Sequence, residues 1–186
     1  MMDLRIQKTH RLIESAFIDL VLANGFKKVT VKDIAARAMV NRKTFYQHYQ
    51  DKYDVADQIT QTILAWFDDL LTKRASLMCE GVGMNQSFRQ LQPELTQLLD
   101  EWHRPIKSLM TIPQIQGRLL TGIKDLLMRH LEPVLQRPAT DLEVNVIGGV
   151  MLGMLTYDFT AGRPPTAVEL SQLTHSLALV FEGRTT

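Results

Sequence analysis

The stretch that decides the fold is residues 30–49, TVKDIAARAMVNRKTFYQHY. Thr30 stands three residues ahead of Asp33, the spacing of a capping box with Asp in place of the usual Glu or Gln, so a helix starts after Thr30. Ile34, Ala35 and Ala38 give that short helix a small, tight inner face. Ala38-Met39-Val40 is a sharp connection, and Asn41 is a good N-cap for a second short helix. There Phe45 and Tyr49 lie four apart, share one face and bury against the first helix. Arg42, Lys43, Thr44 and Gln47 are left on the outward side, near the N-terminus. Two short helices with a small-residue contact and a brief turn make a helix-turn-helix. The second helix of such a motif enters a major groove and offers its N-terminal residues to base edges.

The flanks are helical too. Ile13, Ala16, Phe17, Leu20 and Val21 mark one face of a helix that Asn24-Gly25 stops. After Lys52 a long helix bears apolar residues from Val55 to Met78, and residues 80–87, EGVGMNQS, read as a loop. Leu91 to Trp102 mark a further helix, closed by Arg104-Pro105, and Ile115 to Val134 another stripe. From Val144 to Phe159 the chain is apolar almost all round; Gly162-Arg163-Pro164-Pro165 turns it, and a last helix runs from about Thr166. No strand-length run alternates with period two, so the fold class is all-α.

The chain has 186 residues, 21 Lys+Arg, 20 Asp+Glu, one Cys and 45% hydrophobic residues. That suffices for a core, and one cysteine excludes a disulfide-stapled scaffold. No signal-peptide stretch or membrane-length apolar run is present, so a soluble, cytoplasmic chain is expected. The net charge of +1 hides an asymmetry: residues 1–54 hold ten Lys/Arg against six Asp/Glu, and the remainder eleven against fourteen. A basic end ahead of an acidic body suggests nucleic-acid contact at that end, although charge alone is equally ordinary scatter.

Val31, Ile34, Ala35, Ala38, Val40, Thr44, Phe45, Tyr46, His48, Tyr49 and Lys52 together match the N-terminal motif of one family in a single register. Over about residues 8–55 the sequence resembles the TetR family of transcriptional regulators. The resemblance implies a helix-turn-helix, three-helix DNA-binding domain over residues 1–52. A helical effector-binding and dimerisation domain over 53–186 would follow. Two positions depart from the pattern. Met39 stands where the family often has Gly, at a cost of about 1 kcal/mol if the turn is left-handed. Lys43 stands where Gly is common and changes what the second helix reaches.

The resemblance assigns Thr30, Tyr46, His48 and Lys52 to DNA phosphates, and leaves Arg42, Lys43, Thr44 and Gln47 as candidates for base readout. Arg or Lys suits guanine, Gln adenine, and Thr a thymine methyl. Arg5, Lys8 and Arg11 add positive charge beside the motif. Taken singly, each basic residue reads equally as a solvated helix face.

In the body, Trp66, Phe67, Trp102, His103, Met110, Met128 and Met151 are candidates for an effector pocket, each equally readable as core. Gly149, Gly153, Leu173, Leu177 and Phe181 are candidates for a homodimer interface; glycines there permit close helix approach, and two reading heads about 34 Å apart match successive major grooves. The expected function is a repressor bound as a homodimer to a palindromic operator on double-stranded DNA and released by a small-molecule effector. The alternative is a co-regulator of the same fold controlled by a partner protein. No nucleophile–base constellation argues for an enzyme, and no metal site or cofactor is expected. Asp100, Glu101 and His103 are close in sequence, but Asp100 with Arg104 is equally an i,i+4 ion pair.

Overall fold

The computed structural model describes residues 4–82, 84–135, 137–161, 163 and 165–182, without the side chains at 78, 79, 84, 85, 87–89, 92, 95, 96, 98–100, 133, 134, 151, 152, 154–156, 158–160, 181 and 182. Among these residues every regular element is a helix: α1 (Leu4–Asn24), a 3-10 turn (Phe26–Lys28), α2 (Val31–Arg37), α3 (Arg42–His48), α4 (Lys52–Cys79), α5 (Met84–Leu109), α6 (Pro113–Leu135), α7 (Asp141–Ala161) and α8 (Ala167–Glu182). No helix among the described residues is long and apolar enough to cross a membrane.

The chain divides into two compact units. The first takes the chain up to Phe67 together with Trp102–Ile123. Its core begins with the predicted face of α1, where Ile13, Ala16, Phe17 and Val21 are buried. Gly25, at φ 78°, ends that helix in a conformation that glycine takes without strain. Phe26 then turns inward, its ring 6.1 Å from Phe17 and 4.9 Å from Tyr53. Ile34, Ala35, Phe45 and Tyr49 close the motif over α1, and Val55, Ile59 and Ile63 extend the core along α4. Gly122 of α6 is needed for close approach: a Cβ there would lie 2.6 Å from Leu64 Cδ1.

The second unit takes Asp68–Glu101 and the chain from Lys124 on. Leu70, Leu71, Leu91, Leu126, Leu127, Val144 and Leu170 are buried. Asp68 of α4 accepts from His130 Nε2 of α6 at 2.6 Å and pairs with Arg129 at 3.5 Å. Helices α7 and α8 start on one repeated device. Arg137, Thr140 and Glu143 precede and open α7 at the same spacing as Arg163, Thr166 and Glu169 at α8. In both, the threonine hydroxyl accepts from the glutamate N–H at 3.3 Å. The glutamate in turn accepts from the threonine backbone N–H, and the arginine grips its carboxylate through two nitrogens. The arginine, and then the threonine donors, hold the Glu143 carboxyl down to about 2 and Glu169 lower still.

Two sequence expectations fail in α5. The helix starts at Met84, so the break covers less than residues 80–87, and it runs through Pro105 to Leu109 instead of closing at Arg104-Pro105. Pro105 removes one helical donor, but Pro105, Ile106, Ser108 and Leu109 are all buried, and their packing carries the helix past it.

Candidate nucleic-acid interface

The motif is set by its caps. Thr30 accepts from the Asp33 N–H at 3.3 Å, and Asp33 accepts from the Thr30 N–H at 3.1 Å, completing the box read from the sequence. The Thr30 hydroxyl also donates to Asp33 at 2.6 Å. These donors hold the Asp33 carboxyl below the usual carboxylate range, the hydroxyl contributing most. Helix α2 ends on a Schellman motif: Val40 N–H reaches the Ala35 carbonyl at 3.0 Å and Met39 N–H the Ala36 carbonyl at 3.2 Å. That motif places Met39 at φ 55°, the left-handed value for which its side chain costs about 1 kcal/mol. Asn41 Oδ1 then accepts from the Thr44 N–H at 2.7 Å and starts α3.

With its start fixed, α3 has a determined inside and outside. Phe45 and Tyr49 are fully buried, Thr44 and His48 are half-buried, and Arg42, Lys43, Tyr46 and Gln47 are exposed. Arg42 and Lys43 occupy the first turn, which contains no acidic residue. Cations there oppose the helix dipole, and an external anion would offset that cost. Lys27 and Lys28 on the 3-10 turn and Lys32 in the first turn of α2 are exposed as well. Sequence reasoning did not single these three out; their signal was a run of lysines leading into a capped helix.

Behind the outward face lies a polar chain that the sequence did not reveal. The Tyr49 hydroxyl donates to Glu14 Oε1 at 3.0 Å and lies 2.7 Å from His10 Nδ1. With its proton given to an ionised Glu14, the hydroxyl accepts from His10, which places a hydrogen on Nδ1. The His10 ring in turn meets the His48 ring edge-on at 4.8 Å. Burial, and secondly the neighbouring His10, holds the His48 imidazole below the usual histidine range. Burial raises the Glu14 carboxyl, and burial with the adjacent Glu14 charge raises the Tyr49 hydroxyl.

Lys52 turns inward. Its ammonium donates to the carbonyls of Phe26 and Val29 at 2.9 Å each and of Lys27 at 3.4 Å, and it stands 4.4 Å from the centroid of the Phe26 ring. These contacts pin the 3-10 turn to the start of α4 and engage the ammonium expected at a phosphate.

The effector candidates divide between the units. Trp66, Phe67, Trp102, His103 and Met110 belong to the first and Met128 to the second. Phe67 is buried, Met110 is exposed, and Trp66, Trp102, His103 and Met128 are half-buried. The Trp102 indole Nε1 is buried with no acceptor among the described residues. The Met151 and Phe181 side chains lie outside the described residues. Of the dimer candidates, Gly149, Gly153 and Leu173 are exposed and Leu177 is half-buried.

Residues 15–59 match the family described as bacterial regulatory proteins, tetR family. The chain is 32% identical over 93 residues to the dhaKLM operon transcriptional activator DhaS of Lactococcus lactis subsp. lactis, covering 44% of this chain and 47% of that protein. It is 46% identical over 48 residues to the uncharacterized HTH-type transcriptional regulator YdeS of Bacillus subtilis, covering 26% of this chain and 24% of that protein. The matches to curated relatives thus span half or less of those proteins' length. The fold is similar to that of the TetR family transcriptional regulator PfmR from Thermus thermophilus, with a TM-score of 0.62, 18% identity and coverage of 95% of this chain and 96% of that one. The matched residues take in the second half of α1 and all of the capped two-helix motif, so it is this N-terminal segment that is similar to the tetR family of bacterial regulatory proteins.

Proposed function

We propose that the chain is a DNA-binding transcription regulator with a reading head over residues 1–52 and a pairing and sensing body over 53–186. The observation that carries this is the build of α3, with Arg42 and Lys43 exposed in its first turn and Phe45 and Tyr49 fully buried behind them. Arg42, Lys43, Thr44 and Gln47 read base edges; Thr30, Tyr46 and His48 meet phosphates. Lys52 joins the phosphate set only where it gives up its carbonyls. The protein acts in the cytoplasm as a homodimer on a palindromic operator. An effector that binds the body better in its DNA-incompetent state releases it, by a shift of population.

The exposed residues Leu142, Val146, Gly149 and Gly153 on α7, together with Leu173 and Val180 on α8, support the dimer. Repression follows from operator occupancy. Activation is the second reading, favoured by the Lactococcus lactis relative described as an operon activator. The sign of reporter expression when the chain is supplied separates the two.

The test is selection of genomic fragments by the full-length protein, followed by titration with salt. Counterion release makes affinity fall steeply as salt rises. Lys43→Ala should weaken binding by about 1–3 kcal/mol and relax the preference at one base pair. Equal binding by a Lys43→Ala, Tyr46→Ala double variant would overturn the site. Release of the operator by a metabolite extract, and not by protein fractions, distinguishes a small effector from a controlling partner protein.

A further inference from the structure

Met39 carries a strain that no packing among the described residues offsets. It is the single non-glycine residue at positive φ among the described residues. It sits at the position of a Schellman motif where glycine is favoured. Such strain persists where something outweighs it, and packing would be the ordinary compensation. Met39 has none: its side chain is 86% exposed, more than any other large hydrophobic side chain described. The backbone of the turn needs no side chain there, because its two closing bonds come from the Met39 and Val40 N–H groups.

The location gives the strain a use. Met39 stands two residues before the Asn41 cap, at the end of α3 that presents Arg42 and Lys43. A helix whose N-terminus enters the major groove brings this turn to the groove with it. The apolar group that the groove offers is the 5-methyl of thymine. An unbranched, polarizable thioether adapts to such a small target, and burial of both from water supplies the gain.

We propose that Met39 is a specificity-determining residue whose side chain packs on a thymine 5-methyl at the edge of the operator contact. The inference rests on the reading of the chain as a DNA-binding regulator. It adds an apolar contact from the turn to the polar contacts of α3, so part of the operator preference comes from outside the recognition helix.

The experiment uses the full-length chain and an operator selected from genomic fragments. Met39→Gly relieves the strain and should melt higher than the parent, yet bind the operator about tenfold more weakly. Met39→Gln keeps the length and the left-handed backbone but not the apolar tip, and should lose affinity likewise. Replacing the contacted thymine by uracil should weaken the parent and leave Met39→Gly unchanged. A Met39→Gly protein that binds as tightly as the parent overturns the inference and leaves the DNA-binding reading standing. Lost affinity with no response to uracil anywhere in the site overturns the thymine assignment. A parent chain that retains no DNA removes both readings together.

Discussion

The Lys52 ammonium donates to the Phe26 carbonyl at 2.9 Å while lying 4.4 Å from the centroid of that residue's own ring. One cation thereby fixes both the backbone and the side chain of the residue that opens the 3-10 turn. Replacing it leaves the part-buried Val29 carbonyl without this donor, while the Phe26 carbonyl keeps the Val29 N–H. Lys52→Met should therefore lower stability to urea by about 1–3 kcal/mol. The slope of log affinity against log salt should not change. A slope shallower by about 1 would show that Lys52 also meets a phosphate.

Tyr49 serves two partners through one oxygen. Removing the hydroxyl leaves Glu14 without its donor and His10 without its acceptor, both part-buried. Tyr49→Phe keeps the ring and should destabilise the fold by about 1–3 kcal/mol in chemical denaturation. Because Glu14 is the hydroxyl's acceptor, Glu14→Gln should absorb part of that loss in a double-variant cycle. Fully additive losses would show that the bond carries no energy.

His48 links protons to folding and, under the proposed phosphate contact, to binding as well. Its folded-state affinity for a proton lies below the ordinary value of 6.5. The unfolded chain therefore binds more protons just below that pH, and this group's contribution to stability falls as pH drops through the window. Binding has the opposite sign. If His48 meets a phosphate as proposed, the phosphate favours the charged imidazole, so the complex takes up a proton and affinity rises as pH falls through the histidine range. The His48→Gln protein should lose that dependence in titrations at constant salt; retention of it would place the proton elsewhere.

The glycines of α7 offer a test of pairing that spares the monomer. An added Cβ at Gly149 or Gly153 meets no atom within 4 Å among the described residues. Gly153→Glu should therefore fold normally by circular dichroism, yet sediment as a monomer and lose cooperative binding to a palindromic operator. An unchanged sedimentation coefficient would move the interface off this stripe.

What the sequence disclosed depended on how far apart the partners stand. The Thr30–Asp33 box, the Asn41 cap and the Asn24-Gly25 stop are contacts within a few residues, and each appears where the pattern put it. The burial of Phe45 and Tyr49 followed from helical spacing. The inward turn of Lys52 was not legible, because its charge can be read from sequence while its carbonyl partners, more than twenty residues away, cannot. Pro105 misled for a related reason: local propensity says stop, and packing around Ile106 and Leu109 overrules it. The bond from Tyr49 to Glu14 joins residues 35 apart and left no periodic trace.

Asp19 offers one carboxylate to two guanidiniums, Arg37 of α2 at 2.8 Å and Arg104 of α5 at 2.7 Å. The two arginines, Arg37 foremost, hold its carboxyl below the usual range, so it keeps its charge to lower pH than a free aspartate. While it does, two like charges are kept as neighbours. Once Asp19 is neutralised, by a proton or as asparagine, the same pair turns repulsive. The link of α2 to α5 through this point therefore hangs on one carboxylate of α1, and it weakens when that negative charge is withdrawn.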